Sequence, residues 1–309
     1  MASEPVFAGV SLFIWMVKSC CHGLDPNCET AWQNLCETAH EWGLAYAPVK
    51  VADGACRFNL SAAGGGWQDD ILPGLFAAFS RQGLRRVGWQ YLYGANPLAE
   101  ADTAAQRIQQ LGLQGCILDP EVEYKRAGAG AARVFMRRLR QRAPNTPLAL
   151  CSYRFPSLHR DFPWMAFLDE MDAARGDVHM PQMYWVGDER PNGPEVQLER
   201  SLNELSALKA LPLIPVGSAY TQRVGNRSWA PTAEQLENFF TAARRLSCAG
   251  ASLWCWDLLV QKDDGSRGWM DALQRAAQVW GGAPPAQALT LEQRVERLEV
   301  ALRGHGWEL

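Results

Sequence analysis

Short apolar runs alternate with amphipathic stretches along this chain almost to its end, and that alternation limits the folds open to it. In order, "FAGVSLFIW" precedes "CETAWQNLCETAHEWG", "AYAPVKVADG" precedes "ILPGLFAAFSRQG", and "RRVGWQYLYG" precedes "PLAEADTAAQRIQQLG". "GCILDPEVEY" leads to "GAARVFMRRLRQRAP", "PLALCSYR" to "FPWMAFLDEMDAARG", and "VHMPQMYW" to "GPEVQLERSLNELSAL". "LPLIPVGSAY" then meets "TAEQLENFFTAARRLSC", and "GASLWCWDLL" meets "WMDALQRAAQVW". Short apolar runs bounded by turn residues read as buried strands, and 3.6-period stretches read as helices. Eight strand–helix units over about 280 residues match the count and size of a (β/α)8 TIM barrel. Gly43, Gly83 and Gly112 stand where a helix must stop before the next strand. A doubly wound open sheet would carry G-x-G-x-x-G after its first strand. None is there, and "GGGW" at Gly64–Trp67 falls in a loop.

The barrel is expected over residues 1–280, followed by a Gly/Pro/Ala linker over 281–289. Residues 290–309 are expected to form a short C-terminal coiled-coil-like helix. Leu291, Val295, Leu298 and Leu302 are spaced four, three and four apart, as in an a/d seam. About two heptads are marginal alone in water. The helix is therefore expected either to pair with a copy of itself, giving a homo-oligomer, or to dock on the barrel with Trp307 as an anchor.

A net charge of −3 and no Lys/Arg block argue against nucleic acid and anionic lipid as partners. No apolar run is long enough to span a bilayer, and the start lacks the basic n-region of a secretory signal. A soluble chain made in the cytoplasm without a signal peptide is the expectation. Nine cysteines, an odd number scattered through strands and helices, read as reduced thiols. The densest patch, "CCHGLDPNCETAWQNLC", lacks paired C-x2-4-C spacing, and the five histidines form no HExxH. Neither a metal nor another cofactor is expected.

In this fold active sites lie at the C-terminal ends of the strands. Strand two ends in Lys50 and Asp53, and strand three in Gln90, Tyr91 and Tyr93. Strand four supplies Asp119, Glu121 and Glu123, and strand five Tyr153 and Arg154. Strand six adds Gln182, Tyr184 and Trp185, strand seven Tyr220, and strand eight Trp254, Trp256 and Asp257. Carboxylates ringed by Tyr and Trp suit a sugar cleft, with ring faces stacking on aromatics and acids meeting hydroxyls. If strand four stays extended, its three acids point one way. Repulsion between close carboxylates then holds a proton on one of them near neutral pH. Glu121 is the expected general acid and Asp119 its orienting or charge-stabilising partner. Glu123 belongs at the rim, binding substrate or pairing with Lys125 or Arg126. Trp185, Trp254 and Trp256 suit either sugar stacking or core packing, and Asp257 either a second acid or a cap.

"LDPE" on strand four resembles the D-x-E signature of the family 25 glycoside hydrolases, lysozyme-type barrels that cut peptidoglycan. "MPQMYW" and "SLWCWD" are similar to the aromatic strand ends of such barrels generally. The resemblance implies a polysaccharide substrate, with Glu121 as acid and Asp119 as companion carboxylate. With the tail helix and the missing signal, it also resembles phage-type cell-wall hydrolases, which implies release or incorporation into a phage-type particle. The acids that family carries on strands one and six are absent from "GVSLFIW" and "HMPQMYW". A mechanism using the substrate's own N-acetyl group as nucleophile needs fewer acids, with Tyr184 or Gln182 steadying that group. Two other readings stay open: a non-catalytic glycan-binding barrel, and a lyase or aldolase forming a Schiff base at Lys50.

Overall fold

The computed structural model describes residues 5–62, 68–262 and 268–280. Among them, eight parallel strands close into one ring. They are β1 (Gly9–Leu12), β2 (Val49–Asp53), β3 (Val87–Leu92), β4 (Gly115–Pro120), β5 (Leu148–Leu150), β6 (Val178–His179), β7 (Val216–Ser218) and β8 (Gly250–Trp254). β2 to β6 pair in sequence order, and β8 pairs with both β7 and β1. Single bridges close the two remaining joints. Ser11–Tyr46 and Ile14–Val49 join β1 to β2, and His179–Leu213 and Gln182–Val216 join β6 to β7. The architecture is the (β/α)8 barrel read from the strand–helix alternation.

A helix follows each strand: α1 (Glu29–Glu41), α2 (Leu72–Arg81), α3 (Pro97–Leu111), α4 (Val122–Arg142), α5 (Trp164–Leu168), α6 (Gly193–Leu208), α7 (Ala233–Arg245) and α8 (Trp269–Val279). Thr232 and Gln235 form a reciprocal capping box at the start of α7, satisfying two backbone donors that the helix leaves free. Gly43, Gly83 and Gly112 take φ of +68°, +77° and +57° at the expected helix stops. Alternate strand residues face opposite ways. Trp89, Ile117, Ala149, Cys151, Val178 and Val216 pack inside the ring. Their neighbours Leu118, Leu148, Leu150 and Leu253 pack outward, in the layer shared with the helices.

Two expected elements differ. β4 stops at Pro120 and α4 starts at Val122, not at Gly130, and the helix breaks at Gly128 with φ +76°. Glu121 is thus the residue entering the helix, and the three acids do not share one extended strand. Glu123 falls in the first turn, where the helix N-terminus favours negative charge. Over residues 162–176, one helix was expected, yet only Trp164–Leu168 is α-helical. The chain there turns to serve Asp177, a buried carboxylate that accepts from the backbone N–H of Leu148 and Asp172, both at 2.7 Å, and pairs with Arg140. All nine cysteines are free. No helix among the described residues is long and apolar enough to cross a membrane. The linker, the tail helix with its Leu291–Leu302 seam, Trp307 and "GGGW" lie outside the described residues.

Asp257, expected as a second acid or as a cap on the loop entering the last helix, is turned to the other end of the chain. It is 1% exposed and accepts from the backbone N–H of Trp15 at 2.8 Å and of Met16 at 2.6 Å. It therefore ties the segment after β8 to the segment after β1, where the ring closes. Burial pushes its carboxyl above the usual range, and the two N–H donors pull it back. Asp257→Ala strands both donors, and urea unfolding should show a loss of about 2 kcal/mol, partly recovered in Asp257→Asn.

Candidate active site

The mouth of the ring is organised by one amide. Gln182, just beyond β6, donates from Nε2 to Asp119 Oδ1 at 2.9 Å and to Glu121 Oε1 at 2.8 Å. Both carboxyls are thus held within reach of a single nitrogen. Asp119 faces into the ring from β4 and is 6% exposed, while Glu121 above it is half-buried. Glu123 accepts from Tyr91 OH at 2.8 Å. The expected pairing of Glu123 with Lys125 or Arg126 does not form, because Lys125 turns away to Asp161 at 3.0 Å. Lys50 is 2.9 Å from Asp53, and its ammonium lies over the rings of Phe58 and Trp89 at 4.3 and 5.0 Å. Tyr93, at the lip, reaches Asp53 only at 3.4 Å.

This arrangement costs ionisation energy. Burial raises the Asp119 carboxyl well above its usual range and the charge of Glu121 raises it further, while Gln182 and Lys50 oppose the rise. Burial also raises Glu121, with Gln182 pulling down and Glu123 pushing up. Two close carboxyls that both resist ionisation favour the form in which only one of them is charged. Burial and the bond to Glu123 likewise push the Tyr91 phenol far up. Tyr153 is pushed up to about 12 by burial and then by the charge of Glu121.

The floor is aromatic. Trp254 is half-buried, with its ring centroid 5.3 Å from Trp89, 5.7 Å from Phe13 and 6.4 Å from Trp15. Beyond the ends of β6 and β7, Tyr184 meets Tyr220 edge-on at 5.6 Å. Two expected sugar contacts are not at the mouth. Trp185 is 1% exposed and points outward, donating to Gln235 at 3.2 Å and packing on Phe239. Alternation from Met180 and Gln182 puts Tyr184 inside and Trp185 outside. Trp256 is equally buried, 4.5 Å from Trp42, because a helix begins there and ends the alternation. Trp15 was missed. The alternation Ser11, Phe13, Trp15 leads to it, and it is 37% exposed beside Trp254.

Solved structures of glycan hydrolases share this barrel. A class V chitinase from Nicotiana tobaccum superposes at TM-score 0.60 with 13% identity, covering 89% of this chain and 99% of that one. The hyperthermostable endo-1,4-beta-D-mannanase of Thermotoga petrophila RKU-1 gives 0.62 with 8% identity, over 88% and 100%. The spore cortex-lytic enzyme SleL of Bacillus megaterium QM B1551 gives 0.53 with 9% identity, over 86% and 73%. The fold is the one these hydrolases use. No protein-family model and no curated protein sequence matches the chain.

Both site carboxyls have folded pKa values above their unfolded ones, so their contribution to stability is present below the usual carboxylate range and is lost as pH rises through the folded values. Glu121→Gln and Asp119→Asn are therefore expected to raise the urea midpoint above that of the wild type at about pH 8 but not at about pH 4. Gln182→Leu should move the same two carboxyls further up, read by carboxyl-carbon NMR titration.

Proposed function

We propose that the chain is a glycoside hydrolase acting on an N-acetylated polysaccharide, of the cell-wall or chitin type, with the substrate's acetamido group as nucleophile. The observation that carries this reading is the Gln182 amide joining two carboxyls that resist ionisation above an aromatic floor. Hydrolysis by two enzyme carboxylates needs one on each side of the scissile bond. Here Asp119 sits with Glu121, Asp53 is paired with Lys50, and Asp257 is buried in the ring closure. Among the described residues none of these is a second carboxylate across the mouth from Glu121.

In the proposed reaction a sugar lies on Trp254, and the proton of the Asp119–Glu121 pair passes through Glu121 to the glycosidic oxygen, leaving Asp119 ionised. As the C1–O bond breaks, the acetamido carbonyl oxygen bonds to C1, giving a cyclic oxazolinium. Ionised Asp119 stabilises the positive charge on the acetamido nitrogen, while Gln182 and Tyr184 steady the group. Glu121, now a carboxylate, takes a proton from the water that reopens the ring at C1. The anomeric configuration is retained. The family 25 resemblance bears on this only through Asp119 and Glu121. The chitinase and cortex-lytic folds support an N-acetylated or cell-wall glycan as substrate class. Lys50 is 6% exposed and engaged by Asp53 and ring faces, so it is not presented for a Schiff base.

The absent strand-one and strand-six acids favour one second reading, a barrel that binds glycan without cutting it. An N-acetylglucosamine oligomer distinguishes the two. Under hydrolysis, Glu121→Gln should lower kcat by about a thousandfold or more with the fold intact, and Tyr184→Phe by about tenfold to a hundredfold. Replacing N-acetyl with N-trifluoroacetyl, a weaker nucleophile, should slow cleavage. Calorimetric binding with no product from about pH 4 to 8 would establish the second reading.

A further inference from the structure

Tyr153 stands at the mouth with one ring face already occupied. The His159 imidazole stacks on it at 3.8 Å between centroids and 14° between planes, and Phe162 meets its edge at 5.6 Å. Lys125 follows Glu123 by two residues in α4. Its ammonium is 3.0 Å from His159 Nδ1, 3.0 Å from Asp161 Oδ1 and 4.8 Å from the Tyr153 ring centroid. An ammonium only donates, so Nδ1 accepts and the proton of the neutral imidazole sits on Nε2. The backbone pins His159 as well. Its N–H donates to Pro156 O at 3.0 Å, and its carbonyl accepts from Trp164 Nε1 at 3.0 Å.

We propose that Lys125 and His159 are positioning residues that hold Tyr153 toward the acid pair while the imidazole is neutral, so that glycan affinity weakens in acid. This rests on the reading of the mouth as a glycan cleft. Lys125 is a strut between the segment carrying Glu121 and Glu123 and the loop after β5, two pieces of chain that no strand pairing joins at that height. Tyr153 lies close enough to Glu121 to feel its charge more than that of any other carboxylate.

The groups facing the imidazole are Lys125 from α4, Tyr153 and Arg154 from the end of β5, and Asp161 from the same loop. Burial and then the charge of Lys125 hold His159 below the 6.5 usual for histidine, and Asp161 opposes them. A second proton would place N–H against the ammonium at Nδ1, donor facing donor and charge facing charge, and that contact must break. Asp161 is 63% exposed, so solvent screens its compensation. The neutral form is the one the fold favours. Its contribution is complete above pH 6.5 and is lost as pH falls from there through the lowered folded value.

Two measurements on the full chain test this. The first follows the His159 ring protons by NMR, assigned by difference against His159→Phe. A value below 6.5 that rises in Lys125→Met is the expected result. An ordinary value, unmoved by Lys125→Met, overturns the strut. The second takes the Kd of an N-acetylglucosamine hexamer by calorimetry at about pH 7.5 and 5.5, in the Glu121→Gln background so that nothing is cleaved. The Kd should weaken about fivefold more between these pH values with His159 present than with His159→Phe, which keeps a stacked ring without a titrating proton. Equal pH slopes in the two proteins overturn the proposal. No binding at either pH overturns the glycan reading beneath it, a result distinct from equal slopes.

Discussion

A closed ring of eight strands has room inside for only every second side chain, and the protein's chemistry is arranged by that limit. Along β3, Val87 and Trp89 fill the interior before Tyr91 reaches the mouth. Along β4, Ile117 precedes Asp119, and on the next strand Ala149 precedes Cys151. Each inward row thus runs from packed apolar floor to polar rim within a few residues. The outward rows bury the ring against its helices. The same parity that puts Tyr184 at the mouth sends Trp185 to Phe239, so neighbours of one chemical type serve unrelated purposes.

The mouth is costly to ionise. Carboxyls sunk in a low-dielectric pocket resist ionisation, and placing them together strengthens that resistance. Gln182 answers part of the cost by donating to both, and Tyr91 donates to Glu123. Lys50 adds a distant positive charge while staying bound to Asp53. What remains is a pair of carboxyls that resist ionisation at the open end of the ring. Burial elsewhere is handled differently. Asp177 and Asp257 are also buried, but each spends its oxygens on backbone donors that need an acceptor, and they serve the fold.

Much of this was legible in the residues. The strand–helix count, the glycine helix stops and the placement of Asp119 and Glu121 at a strand end follow from local periodicity and turn chemistry. The expected extended acid trio failed because Pro120 ends the strand and a helix takes over two residues later. Trp256 failed for a related reason, since a helix starts on it directly after β8. The stacking of His159 on Tyr153 had no signal at all. It joins an irregular loop to a strand end through Lys125, which belongs to neither.

The sequence by itself determined the barrel, its alternating inner and outer faces, and which strand carries the acids, because these depend on patterns within a few residues of one another. Only the tertiary structure decided partners: Gln182 with two carboxyls more than sixty residues away, and Asp257 with backbone N–H groups 241 and 242 residues distant. The physical reason is ring closure. Bringing the first strand beside the last, and eight strand ends around one opening, sets distances and dielectric surroundings that no local pattern encodes. Those surroundings make two carboxyls at the mouth resist ionisation and place another in a structural tie.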